Sequence, residues 1–183
     1  TADPATLSTA LAQTQRLGRL VAELLDLSRI DAGAVRIEPE AVPVAELVGE
    51  TVAEAEVAAR VAGRGVGFTT DVRPPQLVVR VDRSRVHQVL VNLLDNAARH
   101  SPPGGVVAVV ARREGERMVV EVSDEGPGIA PEDRDRVFHR FTRGDRAVGG
   151  GTGLGLAIAR WAVDLHGGEI VVAEPVDGRG CRI

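Results

Sequence analysis

The stretch VDRSRVHQVLVNLLDNAARHSP, residues 81–102, constrains the fold more than any other part of the chain. Val86, Val89, Leu90, Leu93, Leu94 and Ala97 recur at three- and four-residue steps and predict the apolar stripe of one helix, with Asp82 as its cap and Pro102 as its stop. Beside that stripe runs a polar ridge at strict four-residue steps, Gln88, Asn92, Asn96 and His100, with Arg99 next to its lower end. Amides beside a buried stripe lose hydration and need partners. Two asparagine carbonyl oxygens one turn apart suit a single hydrated cation or a phosphate. An isolated Asn-x-x-x-Asn also serves to tie down a neighbouring loop, so the meaning of the ridge depends on the motifs C-terminal to it.

All 22 basic residues are arginine. The absence of lysine excludes a P-loop, which needs the lysine of G-x-x-x-x-G-K, and an ordinary protein kinase, which needs a lysine on its third strand. A net charge of −4 and 2% aromatic residues argue against nucleic acid as a partner. One cysteine, Cys181, excludes an internal disulfide and a cysteine-rich zinc site, and His87, His100, His139 and His166 lack metal-ligand spacing. No apolar run approaches the ~20 residues that cross a bilayer, so direct membrane contact of this stretch is not expected; the lone cysteine fits a reducing, cytoplasmic setting.

Residues 5–30 predict a helix with Leu17, Leu20, Leu24 and Leu27 in its stripe, widened by Val21, Leu25 and Ile30 and ended at Asp31-Ala32-Gly33. This gives a division into residues 1–33 and 34–183. Residues 35–40 read as a short edge strand with Pro39 at its margin. Pro43 opens a helix to about Ala62, with Val44, Leu47, Val48, Val52, Ala55 and Ala59 on its apolar face. Residues 66–72 and 77–81 read as strands, residues 106–112 and 118–123 as a hairpin, 131–138 as a short helix, 154–165 as a helix, and 169–173 with 179–183 as a final strand pair. The alternation still runs at Ile183, which reads as a cut and not as a natural end.

Three features lie on consecutive elements. The first is the Gln88/Asn92/Asn96 ridge. In the second, Asp124 ends a strand and is followed by Gly126 and Gly128, which let a flat ligand approach the backbone. The third is Gly149-Gly150-Gly151-Thr152-Gly153-Leu154-Gly155 at a helix start, where free N–H groups suit phosphate. No window there fits the dinucleotide G-x-G-x-x-G. The three features together indicate a phosphate-bearing ligand held without lysine.

These residues resemble the ATP-binding domain of bacterial sensor histidine kinases, in the superfamily that also contains DNA gyrase, the ninety-kilodalton heat-shock chaperone and the mismatch-repair ATPases. HQVLVNLLDNAARHSP resembles that family's N box, DEGPGI its first glycine box, RVFHRFTRGD its F box and GGGTGLGLAIAR its second glycine box, in the same order. RLGRLVAELLDLSRIDAG is similar to the second helix of the dimerisation and phosphotransfer hairpin that precedes such domains. The resemblance implies an α/β fold, a two-layer sandwich of a mixed β-sheet and three helices preceded by one long helix.

It also implies ATP and Mg²⁺ as cofactors. By resemblance Asn96 coordinates Mg²⁺ and Asn92 supports the metal or the phosphates; Arg99 meets a phosphate where the family often has lysine; His100 stands where an aromatic is frequent. Asp124 accepts from the adenine amino group, and Gly126, Gly128 and Ile129 shape the base pocket. Gly151, Thr152, Gly153, Leu154, Gly155 and Leu156 wrap the phosphates as a lid, which Phe138 and Phe141 anchor by burial, and Arg140 or Arg143 reaches the γ-phosphate. The superfamily's ATPases place a glutamate four residues before the first asparagine to activate water; here that residue is Gln88, which takes no proton. The implied reaction is therefore transfer of the γ-phosphoryl group to a histidine, then to a response-regulator aspartate. No histidine precedes His87, so the acceptor is expected on an upstream hairpin segment, the other partner being a response regulator. The intact protein is expected to be a membrane-anchored bacterial homodimer, and this fragment a monomer from its cytoplasmic part. The alternatives are a nucleotide-binding interaction module without catalysis, another ATPase of the superfamily, or a serine-directed anti-sigma kinase.

Overall fold

The computed structural model describes residues 36–142, 152–175 and 178–183 throughout, with residues 3, 13, 14, 17, 18, 21, 22, 24, 25 and 28 of the N-terminal stretch. Of these last, all but residue 3 are helical. They belong to a compact unit of their own, Thr1–Arg36, and Ile37–Ile183 form the second. Leu20, Leu27 and Ile30 lie outside the described residues, as do the linker positions 31–35. Among the described residues no helix is long and apolar enough to cross a membrane.

Val42 and Val44, 1% and 2% exposed, decide where the second unit begins. Their burial shifts the first strand from the expected residues 35–40 to Glu40–Pro43 (β1), which pairs antiparallel with Val78–Val81 (β3). Pro43 ends the strand and precedes the helix Val44–Val61 (α1), so its missing N–H costs no ladder bond. Val44, Leu47, Val48, Val52 and Ala59 are buried on α1 as the periodicity predicts. Thr51 joins them because its hydroxyl donates to the Leu47 carbonyl at 2.7 Å. After Gly63, at φ 68, the chain turns into Gly67–Arg73 (β2).

The helix Arg83–His100 (α2) follows β3 directly. Asp82 caps it, one carboxylate oxygen accepting from the Arg85 N–H at 3.1 Å and from the Ser84 hydroxyl at 2.7 Å, the other from the Glu38 N–H at 3.1 Å. Burial alone would raise the Asp82 pKa, but these hydrogen bonds together hold it below its ordinary value. Val89, Leu90, Leu93, Leu94, Ala97 and Ala98 are buried, while Gln88, Asn92, Asn96 and His100 are all half-buried, at the margin of the stripe.

The hairpin Val106–Glu114 (β4) and Arg117–Asp124 (β5) runs longer than its apolar alternation suggests, because charged residues continue the ladder to Glu114↔Arg117. β2 pairs with β4 in parallel; β4, β5 and Cys181–Arg182 (β6) are antiparallel, giving a mixed four-stranded sheet in the order β2-β4-β5-β6. Val107, Val109 and Ala111 of β4 and Val122 of β5 form one core with the apolar faces of α1, α2 and the helix Gly155–Leu165 (α3). The fold is thus α/β, with three helices on a mixed sheet.

Two further expected elements are corrected. Residues 131–138 form two 3₁₀ turns, Pro131–Asp133 and Arg136–Phe138, instead of one helix; the segment serves to bury Phe138 at 4% exposure. The final strand pair reduces to β6 and one bridge, Ala173↔Arg182. The alternation in 169–173 reports burial and not pairing, since Ile170 packs on the core while Val171 is 53% exposed.

Candidate functional site

The first glycine of α3 brings two of the distant motifs together. A side chain on Gly155 would stand 3.5 Å from Asn92 Oδ1, so the polar ridge of α2 runs directly beside the start of α3. There the Thr152 hydroxyl accepts from the Leu154 N–H at 3.2 Å, Leu154 is buried at 1% exposure, and Leu156 packs on the core. The N–H groups of the first turn of α3 have no intrahelical acceptors and favour an anion at this end. Neither the Asn92 nor the Asn96 amide forms a hydrogen bond among the described residues.

The lower end of the ridge meets the second motif. A Cβ on Gly126 would lie 2.7 Å from the His100 carbonyl oxygen, a distance only glycine permits. Gly126 in turn donates its N–H to Asp124 Oδ1 at 2.8 Å. Asp124 is 8% exposed at the end of β5; burial pushes its carboxyl up, against the opposing pull of the Gly126 and Cys181 N–H groups. His100 is held below the usual imidazole range by burial and then by the Arg99 guanidinium, against the pull of Asp124. Ile129 is half-buried next in sequence to Gly128, whose φ is 74.

Arg99 does not stand free beside the ridge: it is paired with Asp95 one turn earlier. Gln88 accepts at its amide oxygen from Arg85 Nη1 at 3.0 Å, and the Arg85 guanidinium lies 5.1 Å from the Trp161 ring centre on α3.

Of the two phenylalanines expected to anchor the third motif by burial, only Phe138 is buried, with Arg160 over its ring at 5.9 Å. Phe141 is 63% exposed, because φ of 60 turns its backbone so that its N–H meets the Gly153 carbonyl at 2.8 Å and its ring faces outward. The anchor there is the backbone. Gly153, at φ 73, leaves 3.0 Å between its Cβ position and the Phe141 backbone. Arg140 is exposed. Arg143 and Gly151, with Gly149 and Gly150, lie outside the described residues.

Sequence reasoning missed two supports of the site. His166 fastens the C-terminus of α3 to the cap of α2: its Nε2 accepts from the Asp82 N–H at 3.0 Å, so Nδ1 carries the proton and donates to the Ala162 carbonyl at 2.7 Å. Gly180, at φ 81, presses on the Asp124 backbone, where any Cβ would overlap the Asp124 carbonyl oxygen; a Cβ on Gly128 would lie 2.7 Å from the Gly180 carbonyl. The Gly178-x-Gly180 spacing, echoing Gly126-x-Gly128, was the available signal. Among the described residues no three histidine, cysteine or carboxylate side chains cluster as a metal site.

Residues 81–183 match the family described as histidine kinase-, DNA gyrase B-, and HSP90-like ATPase. The chain is 39% identical over 179 residues to the sensor protein SphS of Synechococcus elongatus, covering 92% of this chain and 43% of SphS. It is similar to the crystal structure of full-length ShkA in complex with AMPPNP, with a TM-score of 0.82 and 30% identity over 100% of this chain and 38% of ShkA. Histidine kinase ThkA in complex with the response regulator TrrA is similar at a TM-score of 0.75 and 26% identity, over 100% of this chain and 51% of ThkA. The chain therefore spans less than half the length of SphS or ShkA.

Proposed function

Because the chain belongs to the family of histidine kinase-, DNA gyrase B- and HSP90-like ATPases, we propose that it is the ATP-binding catalytic part of a sensor histidine kinase. It would transfer the γ-phosphoryl group of Mg-ATP to a histidine on a separate hairpin. The observation that carries this reading is the convergence of Asn92 on Gly155 and of His100 on Gly126, which unites three motifs spread over more than sixty residues. The AMPPNP held by ShkA supports ATP as the ligand, and the ThkA–TrrA complex supports a response regulator as the downstream partner. Residues 1–33 would supply the second helix of the hairpin and residues 34–183 the catalytic domain, in a homodimeric cytoplasmic kinase.

In this reading Asp124 accepts from the adenine amino group, with Gly126, Gly128 and Ile129 against the base. Asn92 and the segment from Thr152 to Leu156, whose Leu154 N–H is already given to the Thr152 hydroxyl, hold the phosphates with Gly151; Arg99, His100, Phe141, Arg140 and Arg143 complete the surroundings. The donor set fits Mg²⁺ that arrives with the nucleotide: among the described residues Asn96 offers a neutral amide oxygen without a protein partner, and no acidic cluster there competes for the ion. Bound there, Mg²⁺ would screen the charge of the phosphates. Transfer breaks the bond between the γ-phosphorus and the β,γ-bridging oxygen, forms a phosphorus–nitrogen bond to the acceptor imidazole, and releases ADP. Gln88, tied to Arg85, offers no base for water, which favours imidazole over water as the acceptor.

The test is incubation with γ-labelled ATP and a separate hairpin bearing a histidine. Acid-labile label should appear on the hairpin and not on this chain; label on this chain alone, or none on any hairpin that binds it, refutes the proposal. Asp124→Asn should weaken an ATP analogue about tenfold or more, since its amide either opposes the adenine amino group or abandons the Gly126 N–H. Because the folded pKa of Asp124 is raised, the acceptor is lost at a higher pH on acidification than an exposed aspartate would be. Parent affinity should fall as the pH falls through that range, and Asp124→Asn should lose this part of the pH dependence in a calorimetric titration, leaving only what His100 contributes.

A further inference from the structure

Arg64 lies outside every sequence motif, yet it reaches across to the helix that carries the ridge. It follows Gly63 after α1, and its N–H donates to the Ala59 carbonyl at 2.9 Å. Two backbone bonds fasten the loop that carries it to the loop below α2: the Gly104 N–H to the Gly65 carbonyl at 2.5 Å, and the Gly67 N–H to the Gly105 carbonyl at 2.9 Å. From this fixed base Arg64 Nη1 donates to Asp95 Oδ1 at 3.0 Å, while the other carboxylate oxygen, Oδ2, takes Arg99 Nη2. One carboxylate thus bridges two guanidinium groups, and the three side chains are about 25–33% exposed. His100, at the foot of the ridge, feels Arg99, Arg64 and Asp95 together. The cluster is therefore within electrostatic reach of the site.

We propose that Arg64 is a positioning residue for the nucleotide phosphates, acting by neutralising Asp95 so that Arg99 is free to engage them. The proposal rests on the ATP reading above. Asp95 and a triphosphate compete for the same guanidinium. A carboxylate shared with Arg64 holds Arg99 less tightly, and it keeps its charge balanced once Arg99 has moved to the phosphates. Without Arg64, Asp95 holds Arg99 more tightly and opposes the incoming anion more strongly than it does with Arg64 in place.

Calorimetric titration of the parent chain, Arg64→Ala, Asp95→Asn and the double variant with a non-hydrolysable ATP analogue and with adenosine tests this. Arg64→Ala should weaken the analogue about fivefold, the scale of one partly exposed ion pair, and leave adenosine unchanged. Asp95→Asn should bind the analogue more tightly than the parent, and adding Arg64→Ala to it should change little; Arg64→Lys should restore part of the loss. If Asp95→Asn weakens binding as Arg64→Ala does, the pair is only a scaffold and the proposal fails. If Arg64→Ala costs the same with Asp95 already neutral, Arg64 acts on the phosphate directly and the proposal also fails. A parent chain that binds no analogue overturns the nucleotide reading itself, and this inference with it. Binding by the parent with no effect of any variant overturns the inference alone.

Discussion

Asn96→Ala should abolish Mg²⁺-dependent nucleotide binding while leaving the fold intact. The side chain sits half-buried on the solvent-facing margin of α2, outside the core, and alanine is the better helix former, so thermal unfolding should be unchanged or slightly later. The loss is confined to one amide oxygen. In the proposed site that oxygen is a protein ligand of a metal otherwise held by the phosphates. Its removal should lower affinity for a non-hydrolysable ATP analogue in Mg²⁺ on the order of 10²-fold, and change affinity without Mg²⁺ far less. Transfer to a histidine-bearing hairpin should fall at least as much, because the same oxygen positions the charge that the reaction redistributes. The decisive comparison is the ratio of affinities with and without Mg²⁺ in parent and variant. An unchanged ratio would remove Asn96 from the metal and leave the ridge a purely structural feature.

Gly180→Ala should damage the protein in a different way, through the sheet itself. Its φ of 81 is left-handed, which costs a non-glycine residue roughly 1–2 kcal/mol. The new Cβ would also overlap the Asp124 carbonyl oxygen and crowd Glu125 Cα at 3.2 Å. Relief requires β6 to move off β5 at the Asp124↔Cys181 pair, which also breaks the contact with Gly128. A destabilisation of about 3 kcal/mol or more is expected, a fall in Tm on the order of 10 °C. Nucleotide affinity should fall with it, since Asp124 is displaced. Gly178→Ala is the control: its φ of 68 carries the same backbone cost, but among the described residues nothing stands within 4 Å of its Cβ position. Its Tm should fall by about one to two thirds as much or less. Equal effects would mean that left-handed backbone strain, and not the packing against Asp124, governs the end of the sheet.

The two variants separate what periodicity reveals from what it hides. The α2 stripe and ridge were legible because a helix repeats every 3.6 residues and Asp82, three residues before the backbone N–H it caps, announces the start. α1, α3 and the β4–β5 hairpin were legible for the same local reason. The glycines of DEGPGI were legible as a motif, though not the carbonyl each one makes room for. Burial of Phe141 was wrongly expected because its sequence neighbours do not reveal a backbone turned by a bond to Gly153, twelve residues on. The 35–40 strand misled in the same way: its alternation was real, but the ladder formed where Val42 reached the core, opposite Val79.

Local order thus settled the helices, the hairpin, the polar ridge and the exclusion of lysine-dependent phosphate sites, because each depends on residue type within a turn or two of the chain. Tertiary structure alone decided that Gly180 abuts Asp124, that Arg64 shares Asp95 with Arg99, and that His166 holds the cap of α2. Those contacts join residues 31 to 84 positions apart along the chain. No periodicity links such residues. They meet only because the shared core of helices and sheet brings their loops to the same place.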